Sequence, residues 1–145
     1  MRVGRQRAAA SGAGVPNVIS TTWIIAALVI FLAKHLVADF FLQTAWMANG
    51  KEQPTGWFVP LLAHVLVHTA ATALIFALLA PAYIWIAAVD FVVHFAIDRA
   101  KGLLNRFFGY DTSKTGFWWL FGIDQTLHHL THLGFAVLIA IVRTG

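Results

Sequence analysis

The chain has 145 residues, 59% of them hydrophobic and 11% charged, with a formal charge of +4 and no cysteine. Soluble domains are about a quarter charged, so this composition excludes an ordinary soluble domain and points to one domain in a bilayer. Without cysteine there is no disulfide framework, thiolate metal site, iron–sulfur cluster or cysteine nucleophile, and any metal must be held by nitrogen and oxygen.

Residues 1–18 are small, polar and basic, with Arg2, Arg5 and Arg7 and no acid, and are expected to form a disordered tail. The apolar run that follows exceeds a signal-peptide core and ends in Lys34 and His35 without a small-residue cleavage site, so it is expected to stay as a helix. That first helix is expected over about 19–44, with Trp23 and Trp46 as interfacial anchors. His35, Asp39 and Gln43 share a face of it, while Lys34 is turned about 100° away and is expected to snorkel or pair with an Asp, at the edge of any shared site or outside it. Asn49-Gly50 ends the element, and Lys51, Glu52 and Pro54 read as a polar loop.

A second helix is expected over about 57–79, with Pro60 in its first turn, where a missing N–H costs little. His64 and His68 fall in its first half, and Ala70, Ala73 and Ala77 are small enough to admit a close neighbour. Ala80-Pro81-Ala82 breaks the helix and returns the chain beside it. The third helix, about 83–104, carries Asp90, His94 and Asp98, with Arg99, Lys101 and Arg106 at its exit. A connector rich in aromatic and polar residues leads to the fourth, about 117–142, which opens on Trp118 and Trp119 and carries Asp124, Gln125, His128 and His132 on one side, with His129 pointing elsewhere.

Ionisable residues at i, i+4 and i+8 lie on nearly one helix face, so Asp90, His94 and Asp98 form a polar stripe about 12 Å long. Each of the other helices has its own stripe. The stripes sit late in helices 1 and 3 and early in helices 2 and 4, which in an up-and-down bundle puts nearly all of them at one depth. The expected fold is therefore an all-α polytopic membrane protein, an antiparallel bundle of four transmembrane helices.

Imidazole and carboxylate at helical spacing suit a divalent transition metal such as zinc, iron or manganese. The expected ligands are His35, Asp39, His64, His68, His94, Asp98, Asp124 and His128, with Gln43, Asp90, Lys101, Gln125 and His132 as partners that orient them. A metal-dependent hydrolase acting on a lipid-linked or head-group substrate is the first functional reading. A proton or metal-ion carrier is the second, and a structural protein whose stripes only hold helices together is the third. The basic residues suit anionic lipid head groups and form no face for nucleic acid. Arg2, Arg5, Arg7 and Arg143 on one side nearly balance Lys51, Arg99, Lys101, Arg106 and Lys114 on the other. The three basic residues that follow the third stripe tip the expectation to a cytoplasmic site side.

The stretches His35-Leu-Val-Ala-Asp39-Phe-Phe-Leu-Gln43, His64 with His68, His94-Phe-Ala-Ile-Asp98-Arg-Ala-Lys101 and Asp124-Gln125-Thr-Leu-His128 resemble a family of small bacterial membrane proteins classed as domain of unknown function 3307. The resemblance covers residues 29 to about 140 and implies a multi-pass protein of the bacterial inner membrane with four helices and no established activity. It also implies that His35, Asp39, Gln43, His64, His94, Asp98, Lys101, Asp124, Gln125 and His128 belong to the family pattern, and that Asp90, His129 and His132 are particular to this chain.

Overall fold

The computed structural model describes residues 18–145; the basic tail expected at 1–18 lies, but for Val18, outside the described residues. The described chain is all-α, with no strand. Helix α1 spans Thr21–Leu36 and starts at Ser20, whose hydroxyl accepts the Trp23 N–H. It does not run on unbroken to about 44. The backbone widens into a π segment, Val37–Leu42, and becomes extended at Gln43. Thr44 then caps a new short helix, α2 (Ala45–Gly50), by accepting the Met47 N–H at 3.3 Å. A residue able to cap has ended one helix and begun another. α2 lies against α3 (Phe58–Leu79) with Gly50 directly over Pro60, where a Cβ would come within 2.5 Å of the ring.

Ala80 ends α3, and Pro81–Tyr83 form one tight 3₁₀ turn. That turn consumes the residues expected to open the next helix, so α4 begins at Ile86 and runs to Phe108. Gly109 closes α4 in the left-handed region (φ 63°), which lets the Tyr110 N–H reach the Asn105 carbonyl at 2.7 Å. In the connector, Asp111 accepts hydrogen bonds from the Ser113 hydroxyl and N–H, which hold its carboxyl below the ordinary range. α5 spans Thr115–Thr144.

The four long helices meet in the cyclic order α1, α3, α4, α5. Ser20 N–H donates to Thr144 Oγ1 at 3.1 Å, and Arg143 donates to the Leu78 carbonyl at 3.1 Å. The start of α1 and the ends of α3 and α5 therefore share one end of the molecule. The apolar core fills that end, built on Ala27, Phe31, Ile75, Phe76, Phe135 and Ile139. Phe31 sits at its centre, with ring centroids 6.2 Å from Phe76 and 5.8 Å from Phe135. The opposite end of the interior is polar.

The outer faces are apolar: Ile25, Val29, Leu66, Leu74, Val92, Ile123 and Leu130 are all exposed. Among the described residues, three segments are long and apolar enough to cross a membrane: Thr21–Leu42, Phe58–Leu79 and Thr115–Thr144. α4 does not meet that measure by composition, because Asp90, Asp98, Arg99, Lys101 and Arg106 interrupt it. Ala70 and Ala77, expected to admit a neighbouring helix, are exposed; Thr72, Ile75 and Phe76 face inward instead.

Candidate metal centre

The i, i+4 spacing of the sequence becomes contact between helices. The π segment of α1 brings Asp39 to α3, where its Oδ1 lies 2.9 Å from His68 Nε2 and 3.5 Å from His64 Nε2. Its Oδ2 lies 3.1 Å from His35 Nε2, one turn back. From α4, Asp98 faces His64 at 3.4 Å, His128 of α5 at 3.2 Å and its own neighbour His94 at 3.9 Å. His64 and His94 bring their Nε2 atoms within 3.4 Å of each other.

Two donor sets result. Asp39, His64, His68 and His94 offer one carboxylate oxygen and three imidazole nitrogens, all within 4.8 Å of one another. His94, Asp98 and His128 form a second set on the same criterion and share His94 with the first. The Nδ1 atoms of His35, His64, His68 and His94 are buried without a partner, so the hydrogen bonds and ion pairs of these rings run through Nε2.

The protons do not suffice for these contacts. His64 Nε2 has Asp39 Oδ1, Asp98 Oδ2 and His94 Nε2 within 3.5 Å, and a neutral imidazole carries one hydrogen to give. The charges do not balance either. Five of the six acidic side chains of the chain, Asp39, Glu52, Asp90, Asp98 and Asp124, gather with the ammonium groups of Lys34, Lys51 and Lys101. With neutral histidines that leaves two negative charges in a mostly buried cluster, where uncompensated charge is costly.

The remaining expected residues surround these sets. His35 bonds Gln125 Oε1 at 3.0 Å beside Asp39. Asp124 lies 3.6 Å from His128 and 3.6 Å from Lys101, and Gln125 donates to it at 3.2 Å. Gln43 donates to the Asp39 backbone carbonyl at 3.4 Å. His129 touches the cluster edge-on, its ring 5.1 Å from that of His35.

Asp90 and His132 do not join these sets. They form a separate layer, toward the apolar end, with Lys34 and Thr72. Asp90 Oδ2 accepts from Thr72 Oγ1 at 2.7 Å and Lys34 Nζ at 3.3 Å, and His132 Nε2 also lies 3.3 Å from Lys34. Lys34 is fully involved in this layer and does not snorkel. Lys51, read as a loop residue, is buried and donates to Asp98 at 2.7 Å. At the other end of the site, a cavity of about 190 Å³ is lined by Lys51, Glu52, Lys101 and Gln125, among others, and reaches Asp39 and Asp98.

A family described as "Protein of unknown function (DUF3307)" matches residues 27–144. The chain belongs to this family. The match takes in every residue of both donor sets and of the layer below them, and the family description assigns them no role. No curated protein and no solved structure matches the chain.

Proposed function

We propose that this member of the family is a bacterial inner-membrane protein crossing the bilayer four times, antiparallel, and that its His/Asp cluster holds a divalent transition metal, zinc, iron or manganese. The bound metal lowers the pKa of a water and makes the protein a hydrolase for a lipid-linked or head-group substrate at the interface. α4 fits as the fourth span because Asp90, His94 and Asp98 are buried while Val89 and Val92 face outward.

One observation carries the reading: two sets of imidazole nitrogen and carboxylate oxygen, sharing His94, in a cluster where five carboxylates meet three ammonium groups, a surplus of two negative charges when the histidines are neutral. One divalent cation balances that surplus and gives several crowded Nε2 and carboxylate atoms a common partner. The first set suits a tetrahedral ion, and the second is a two-histidine, one-carboxylate arrangement. Protonation of two histidines is the other way to balance the charge, and it binds no metal.

The deciding experiment is metal analysis of protein purified in detergent without chelators or a histidine tag. Stoichiometric metal in the parent, lost in Asp98→Ala and kept in His129→Ala, is the expected result. Metal-free parent protein would overturn the proposal.

A further inference from the structure

The polar cavity has an apolar extension. Between α4 and α5 runs a groove of about 260 Å³ whose walls include Ala96, Ala100, Leu104, Leu120 and Ile123. It exists because Ala96 and Ala100, one turn apart on α4, leave a channel that larger side chains would fill. Lys101 and Asp124 line both the groove and the polar cavity, so the two spaces meet at these residues.

At that junction Lys101 Nζ stands 3.6 Å from Asp124 and 3.7 Å from Glu52, beyond hydrogen-bonding reach of both. An ammonium held by field alone keeps its donors for a ligand. Gln125, Phe117 and Phe121 complete the cavity wall on the α5 side.

We infer that the site takes a lipid with a phosphate-bearing head group, the phosphate in the polar cavity against Lys101 and an acyl chain in the α4/α5 groove. This rests on the metal-centre reading: without a cation, Asp39, Glu52, Asp98 and Asp124 outnumber Lys51 and Lys101 and repel a phosphate. With one divalent ion the lining is neutral, and Lys101 can turn to the anion. A bare anion would leave the groove unused, and a neutral lipid would leave Lys101 unused.

The test places zinc-loaded protein in digalactosyldiacylglycerol nanodiscs, whose bulk lipid carries no phosphate, doped with phosphatidic acid bearing a photoreactive acyl chain. Cross-links are mapped by mass spectrometry. The groove between α1 and α3, of about 300 Å³ and lined by Ile30, Ala71 and Leu74 among others, is the internal control for casual lipid contact. The expected result is labelling concentrated on Ala96, Leu104, Leu120 and Ile123, competed by unlabelled phosphatidic acid and not by diacylglycerol. Lys101→Met should weaken that competition about tenfold, as expected for loss of one charge-assisted hydrogen bond. Ala100→Phe, or Ala100→Leu if the larger residue prevents folding, should remove the groove labelling and leave bound zinc unchanged.

Equal labelling of both grooves on zinc-loaded protein overturns the lipid assignment and leaves the metal centre standing. Displacement by inorganic phosphate without groove labelling overturns it in favour of a free-anion site. Selective groove labelling of protein that binds no zinc removes the metal centre and, with it, the charge balance on which phosphate binding rests, and so overturns this inference.

Discussion

Replacing Lys51 with Met separates a metal centre from a purely structural network. Lys51 Nζ and Asp98 Oδ2 are 2.7 Å apart, with side chains 9% and 2% exposed, so Asp98 loses a buried partner without gaining water. Breaking such a pair costs about 3–5 kcal/mol. Asp98 keeps His128 at 3.2 Å and His64 at 3.4 Å, which puts the loss near the lower end, about 3 kcal/mol. A divalent ion ligated by Asp98 supplies the missing positive charge and no longer competes with the ammonium. In excess zinc, a variant that binds the ion about 100-fold more tightly than the parent gains about 2.7 kcal/mol more from it, which returns most of the deficit. The assay is unfolding in mixed detergent micelles, with parent and variant each measured in chelator and in excess zinc. A variant as stable as the parent in chelator, or one that gains no more from zinc than the parent does, would refute this account of Asp98.

Three further outcomes follow from the geometry. His94→Ala removes the ligand common to both donor sets and should abolish metal binding, whereas His68→Ala removes one neutral ligand, leaves both carboxylates in place and should retain metal, unlike Asp98→Ala, which removes charge as well as a ligand; stoichiometry by elemental analysis checks all three. Single cysteines at Lys51 and Lys114 should be labelled from the same side of a vesicle and one at Pro81 from the other, with no background because the chain has no cysteine. Phe31→Ala empties the centre of the apolar core, where Phe31 is 0% exposed, and should cost about 3–5 kcal/mol in the same unfolding assay without changing metal content.

That these His and Asp side chains would meet in the interior was legible because the helical period fixes which side chains share a face. His64 with His68, His94 with Asp98 and Asp124 with His128 are each four apart, and every pair is directed inward. The partition between layers was not legible. Asp90 and His132 stand one turn from His94 and His128, a step of about 6 Å, and whether that step joins two groups or separates them depends on how far neighbouring helices slide. Lys51 was hidden for a different reason. Its position follows from the chain stopping at Gln43, restarting at Thr44 and folding back with Gly50 over Pro60, a tertiary path with no periodic signal. Lys34 was visible as a lone cation in an apolar run, but its partners Asp90 and His132 come from helices distant in sequence.

The layering also weighs on whether a bound ion is resident or in transit. Passing from the cavity inward, an ion would meet Lys51 and Lys101 first, then the two donor sets, then Lys34, and finally the rings of Phe31, Phe76 and Phe135. His132 caps this last group, stacked on Phe31 with centroids 5.2 Å apart. A carrier of cations needs binding groups that continue to the far side and fields that fall away ahead of the ion. Here ammonium groups stand on both sides of the carboxylates, and the inner one is backed by tightly packed aromatic rings. Such a field has its minimum for a cation at Asp39 and Asp98 and rises in both directions. In the proposed centre that profile would retain an ion and oppose its passage. Lys34, which would oppose such transit, is paired with Asp90 at 3.3 Å and so costs the fold no unpaired charge at that depth.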